Sequence, residues 1–158
     1  MSVENPIRNF MTFVPMHIQI DVSLDEAANM MVEKNISHLP VFHQGKICGI
    51  VSQRDVKAAL ASSLELGIKD IMNESVEMLL PETSIRTALK IMTEKKIGSI
   101  VVHEVDGSIV GIFTTTDAMY VLNSLLGYLE GDLLKQKFWD LLEKEFQGVK
   151  LKVEKLWA

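Results

Sequence analysis

The sequence has a single cysteine, Cys48, in 158 residues. No intrachain disulfide can form, and a zinc site built on cysteine pairs is excluded. The histidines are sparse too: His17, His38, His43 and His103 stand at no metal-ligand spacing. No metal site is therefore expected. Lysine and arginine form no cluster, and the formal net charge is −5. A duplex-binding surface needs a basic stripe, so nucleic acid is not the expected partner. No apolar run reaches the roughly eighteen residues of a spanning helix. The N-terminal MSVENPIRNF lacks a basic start followed by an apolar core. Together these absences predict a soluble, cytoplasmic protein that does not engage a membrane. There is no Gly-x-Ser-x-Gly elbow and no acid-base pair tied to a nucleophile. No catalytic residue is assigned, and the chain is not expected to be an enzyme.

What the chain has is a duplication. Gly49-Ile-Val-Ser-Gln-Arg-Asp55 returns as Gly111-Ile-Phe-Thr-Thr-Thr-Asp117. Upstream, Ile7, Met11, Ser23, Ala27, Met31, Ile36 and Val41 recur as Ile68, Met72, Ser84, Ala88, Met92, Ile97 and Val102. One inserted residue near Asp106 shifts the register, after which Gly45, Ile47, Ile50 and Leu60 recur as Gly107, Ile109, Ile112 and Leu122. A fixed-period repeat means that one supersecondary unit occurs twice. Each unit has about sixty residues, near the lower limit for a self-sufficient core, so the two are expected to pack on each other. The boundaries read as repeat 1 over 7–63, a linker over 64–67, repeat 2 over 68–122 and an extension over 123–158.

Each repeat reads strand, helix, strand, strand, helix, which predicts an α+β fold. In repeat 1 an extended segment covers 13–20. Ser23-Leu-Asp-Glu26 has the form of a capping box, and Leu24, Ala27, Ala28 and Met31 follow at helical spacing. Strands over 38–43 and 46–52 flank the turn at Gln44-Gly45. A helix over 54–63 closes the unit. Repeat 2 matches, with a short strand over 77–80 and a helix opened by Ser84. Strands over 99–104 and 108–113 pair around Asp106-Gly107, a strong hairpin signal. A closing helix runs from Thr116 to about Gly127. In the extension, Leu134, Phe138, Leu141, Leu142 and Phe146 predict a helix between Gly131 and Gly148. Val149, Leu151 and Val153 then alternate as in a short strand. The mixed charges of this segment suit a solvated face, with the helix packing on its own core, on a second chain or on a partner. Cys48 and the nine methionines suit core packing.

Ser52-Gln-Arg-Asp55 and Thr114-Thr-Thr-Asp117 each have a plain explanation. A hydroxyl three residues ahead of an acid, before a helix, is a capping box that needs no ligand. The repetition adds something. Both boxes follow a glycine, where another group can approach the backbone closely. A hydroxyl and free amides at a helix start suit phosphate. A carboxylate beside them accepts two hydroxyl hydrogen bonds and suits a ribose diol.

The order of these stretches resembles the cystathionine-β-synthase-type (CBS) domain, and the tandem resembles a Bateman module. The matching pairs are IRNFM with IKDIM, KNISHLPVF with KKIGSIVVH, and GKICGIVSQRD with GSIVGIFTTTD. The resemblance implies two β-α-β-β-α repeats packed as a pseudo-two-fold pair. It implies adenosine-containing ligands, such as adenine nucleotides with or without magnesium, bound in two clefts between the repeats. Asp55 and Asp117 would contact ribose, and Ser52 and Thr114 would contact phosphate. The adenine would rest near Thr12 and Val14 with Ile36 and Pro40, and near 73–76 with Ile97. His38 and Arg54 lie near the expected phosphate path of the first site. Ser99 and Thr116 hold those positions in the second, with no cation. Arginine suits phosphate because it stays charged and offers a fork of donors. The resemblance also implies a sensor without catalysis. It would form a homodimer through the helices after Asp55 and Asp117 and regulate a separate, unidentified protein. The alternative is a ligand-free dimerisation or scaffold module.

Overall fold

The structure is a computed structural model that describes residues 5–128, together with 137 and 140. A short 3₁₀ turn at Ile7–Asn9 precedes β1 (Thr12–Phe13) and β2 (Ile18–Gln19). Then come α1 (Leu24–Glu33), β3 (His38–His43), β4 (Lys46–Ser52) and α2 (Gln53–Leu60). The second half runs α3 (Ile68–Ile71), β5 (Met78–Leu79), α4 (Ile85–Lys95), β6 (Ser99–His103), β7 (Ile109–Thr114) and α5 (Thr115–Tyr128). The architecture is α+β and carries the repeated unit. Apart from Lys137 and Asp140, the helix and strand predicted beyond Gly131 lie outside the described residues.

Local chemistry sets the elements. Ser23 and Ser84 cap α1 and α4 by accepting the amides of Glu26 and Thr87 at 3.2 Å. The stripe predicted on α1 is the buried one, with Leu24, Ala27 and Met31 facing inward. β3 pairs antiparallel with β4, and β6 with β7. Both hairpins turn through a glycine at positive φ, Gly45 at 77° and Gly107 at 86°. A side chain there would be strained, which is why the turn residue repeats. Helix α2 ends at Leu60, short of the predicted limit at Ser63, where Ser62 donates to the Ala59 carbonyl at 2.8 Å and closes the turn.

The segment expected as one extended run over 13–20 divides between two sheets. β2 lies parallel to β3 in a three-stranded sheet ordered β2-β3-β4. β1 instead lies against β7 of the other repeat, in a sheet ordered β1-β7-β6-β5. The second lead-in mirrors this: Asn73 exchanges two backbone hydrogen bonds with Ile50 of β4, at 2.8 and 3.0 Å. Each repeat's lead-in therefore completes the other repeat. The cores say the same. Ile68, 1% exposed, packs among Leu24, Met31, Leu39, Val51 and Val56 of repeat 1, with Ile71 and Met72 beside it. Ile7, fully buried, and Met11 pack among Ala88, Met92, Ile100, Val102 and Phe113 of repeat 2. The crossing welds two units, each too small for comfort, into one body.

Candidate functional site

Both hydroxyls cap their helices, but the reciprocal capping box closes only at α5, where the carboxylate also takes the N-cap amide. At the start of α2 the Ser52 hydroxyl accepts the Asp55 amide at 3.3 Å and donates to Asp55 Oδ2 at 2.5 Å. At the start of α5 the Thr114 hydroxyl accepts the Asp117 amide at 3.4 Å and donates to Asp117 Oδ2 at 2.7 Å. The Thr114 amide also donates to Asp117 Oδ2, at 2.7 Å. Asp117 is half-buried and held by two donors, whereas Asp55 is exposed.

The first-turn amides are not all free. The Gln53 amide donates to the Ser37 carbonyl at 2.8 Å, and the Thr115 amide to the Gly98 carbonyl at 3.0 Å. With the Asp55 and Asp117 amides held by their caps, the helix starts offer fewer donors than the sequence suggested. The Ser52 hydroxyl has one proton and gives it to Asp55. A ligand phosphate would take that proton without breaking the cap, because the Asp55 amide uses an oxygen lone pair. Asp55 would then be released to accept hydroxyls from a sugar.

A cleft of about 830 Å³ opens beside this box, within the size range of small-molecule sites. From repeat 1 it takes Ser37, His38, Ile50, Ser52, Gln53, Arg54, Asp55 and Lys57. From repeat 2 it takes Asn73, Ser75, Val76, Glu77, Lys96, Ile97, Gly98, Ser99 and Thr115. The grouping differs from the expected one. Ile97, Ser99 and the segment over 73–77 share the Asp55 cleft, whereas Thr12, Val14, Ile36, Thr114, Thr116 and Asp117 lie outside its lining. The cause is the crossed lead-in: the Asn73 bridge to Ile50 carries 73–77 to the end of β4, beside Ser52. Thr12 and Val14 lie along β7 instead, where Thr12 pairs with Ile112 and the Val14 amide donates to the Val110 carbonyl at 3.1 Å. Pro40 is fully buried in β3 and leaves no surface for a ligand.

His38 stands at the head of β3 opposite Ser52 and reaches across to the other repeat. A Cβ on Gly98 would meet His38 Nε2 at 2.9 Å, so the imidazole lies on the backbone of that glycine. Burial pushes the His38 pKa below its ordinary 6.5, and the Asp55 carboxylate only partly opposes this. The imidazole is therefore neutral at pH 7 and contributes a hydrogen-bonding edge, not a charge.

The repeated glycine allows the close approach that the sequence suggested. A Cβ on Gly49 would meet Met72 Sδ at 2.5 Å, and one on Gly111 would meet Met11 Sδ at 2.3 Å. The group that approaches the strand is a methionine of the crossed lead-in. Met11 and Met72 are themselves a repeated pair, so glycine and methionine recur together. Sequence reasoning missed Lys57, Lys96 and Glu77 as cleft residues. Lys57 was in reach, one turn beyond Arg54; Lys96 and Glu77 arrive only through the packing of the repeats. Among the described residues no group of three or more histidine, cysteine or acidic side chains is placed to hold a metal. No described helix is long and apolar enough to cross a membrane.

The family model for the CBS domain matches twice, over residues 7–62 and 68–124. An uncharacterized protein, MJ1232, of Methanocaldococcus jannaschii is 31% identical over 106 residues, 67% of this chain and 36% of its own length. Inosine-5'-monophosphate dehydrogenase of Korarchaeum cryptofilum is 37% identical over 114 residues, 72% of this chain and 22% of its own length. The chain thus spans 36% or less of these relatives. Among solved structures, the CBS domain pair of protein MJ0100, in complex with 5'-methylthioadenosine and S-adenosyl-L-methionine, superposes with a TM-score of 0.71 at 25% identity. That match covers 76% of this chain and 97% of the other.

Proposed function

The chain belongs to the CBS domain family, with two copies in tandem, and from that premise we propose that it is a regulatory module that senses an adenosine-containing ligand, an adenine nucleotide or a related adenosyl compound. The observation that carries this reading is the Asp55 cleft. It sets a ribose-competent carboxylate beside a phosphate-competent hydroxyl, and its walls come from both repeats. A ligand bridging two repeats changes their arrangement only through unequal affinity for the arrangements available. A cleft walled by both repeats is where such a difference arises. The complex of the MJ0100 pair with two adenosyl compounds supports the ligand class.

In this reading the module has no catalysis of its own. It acts as a cytoplasmic homodimer and passes its state to a separate protein, and magnesium accompanies a polyphosphate if one binds. Exposed Met119, Tyr120, Leu122, Leu125 and Leu126 on α5 support a helix-to-helix dimer contact. The test is a thermal melt with AMP, ADP, ATP and S-adenosylmethionine at millimolar concentration. Ligand at a hundred times its Kd adds about 2.7 kcal/mol, and each kcal/mol raises the midpoint of a chain this size by about 2–4 °C. A shift with at least one compound is expected. An unmoved midpoint with all four refutes the sensor reading.

A further inference from the structure

The two repeats are not equivalent in charge, and the difference gathers in one cleft. Arg54, Lys57 and Lys96 all line the Asp55 cleft. At the matching positions of the other repeat stand Thr116, Met119 and Asn35, all neutral. Three differences on two separate segments place basic residues along the same cleft. None of the three cations forms an ion pair among the described residues, where the pairs are Arg8–Glu82, Lys90–Glu94 and Lys95–Glu77. Of the two acids that line the cleft, Glu77 is engaged by Lys95, and Asp55 forms no ion pair among the described residues.

Lys96 sharpens the point. It caps the end of α4 in the left-handed region at φ 55°, and its counterpart Asn35, one residue beyond the α1 cap Lys34, stands in the same region at φ 52°. Asparagine tolerates that backbone, whereas lysine adopts it at a cost. Backbone preference therefore does not explain the lysine, and the residue lines the cleft.

Resting on the adenosyl-sensing reading, we infer that the Asp55 cleft selects adenine nucleotides carrying two or three phosphates over singly phosphorylated, neutral or cationic adenosyl compounds. Asp55 and Ser52 hold the ribose and the first phosphate. Arg54 and Lys57, one turn apart on α2, and Lys96 from the opposite repeat meet the phosphates beyond it. S-adenosylmethionine carries a sulfonium and an ammonium against a single carboxylate where those phosphates would lie, so its net positive charge is disfavoured by the same cations.

Calorimetric titration of the full chain with adenosine, AMP, ADP, ATP and S-adenosylmethionine tests this. Affinity is expected to climb about three- to tenfold with each phosphate beyond the first, as exposed to charge-assisted contacts contribute. The climb should flatten in high salt. Lys96→Asn installs the residue that the fold already accepts at the matching position, and Lys57→Gln removes an exposed charge, so both variants should fold. Together they should lower the ratio of ATP to adenosine affinity by about tenfold. A flat series, tighter binding of S-adenosylmethionine, or an unchanged ratio in the double variant overturns the inference and leaves adenosyl sensing standing. No binding by any of the five compounds overturns both.

Discussion

Replacing Gly49 by alanine separates two uses of the repeated glycine. The added Cβ would lie 2.5 Å from Met72 Sδ, 2.9 Å from its Cγ and 3.2 Å from its Cβ. Rotating the outer torsions moves the sulfur, but the Met72 Cβ stays close, so relief needs a shift of the lead-in backbone. Overpacking of this kind costs about 1–3 kcal/mol. Gly49 is not at positive φ, so alanine also stiffens the unfolded chain and returns about 0.4–1 kcal/mol. A net loss of about 1–2 kcal/mol is expected from these two terms. Met72→Ala alone removes packing from the repeat 1 core. Combined with Gly49→Ala it makes room for the new methyl, so the double variant should lose less than the sum of the singles, with a coupling of about 1 kcal/mol or more. Urea unfolding of the four proteins without ligand reads the cycle directly. If Gly49→Ala leaves the ligand-free protein as stable as before and the cycle is additive, the glycine is not there for the methionine.

Other consequences follow from the same geometry. Ile68→Ala empties a site in the repeat 1 core although the residue belongs to repeat 2 by sequence; a loss of about 2–5 kcal/mol is expected. Hydrogen exchange should show its weakened protection concentrated in β3 and β4, not in β6 and β7. Because burial lowers the His38 pKa below 6.5, the unfolded chain binds more protons just below that pH. Stability should then fall as pH drops below 6.5 through the folded pKa. His38→Gln should flatten this slope in urea midpoints measured at pH 7 and at about pH 5. Ser52→Ala should cost about 1 kcal/mol as a lost cap and weaken nucleotide binding as well. Asp55→Asn should retain much of the cap and lose the binding; the reverse outcome, lost stability with intact binding, would make Asp55 a cap alone.

The α+β class and the tandem architecture were legible because the repeat is written in apolar spacing, caps and hairpin turns, all local signals. Ser23 and Ser84 cap as their sequences suggest, and Gly45 and Gly107 turn as theirs do. The crossing of the lead-ins was not legible. A two-residue strand such as Thr12–Phe13 carries no sign of which sheet edge it joins, and Ile7 and Ile68 match each other in either arrangement. The regrouping of the cleft is the same ambiguity seen at the site, since residues 73–77 reach Ser52 only by way of the Asn73–Ile50 bridge. The glycine signal was correct as a close approach, but a sequence does not name the group that approaches. Arg54 and His38 could be picked out beside Ser52 and Asp55. Lys96 could not, because it enters from a turn of the other repeat.

The central claim is that the cleft between Ser52, Asp55 and residues 73–77 takes the ligand. A backbone-amide NMR titration with ADP tests it most directly. The account predicts saturable shifts concentrated at Ser52 to Asp55, at Asn73 to Glu77 and at Lys96 to Ser99. Saturable shifts located elsewhere, or no shifts at millimolar ADP, would contradict it.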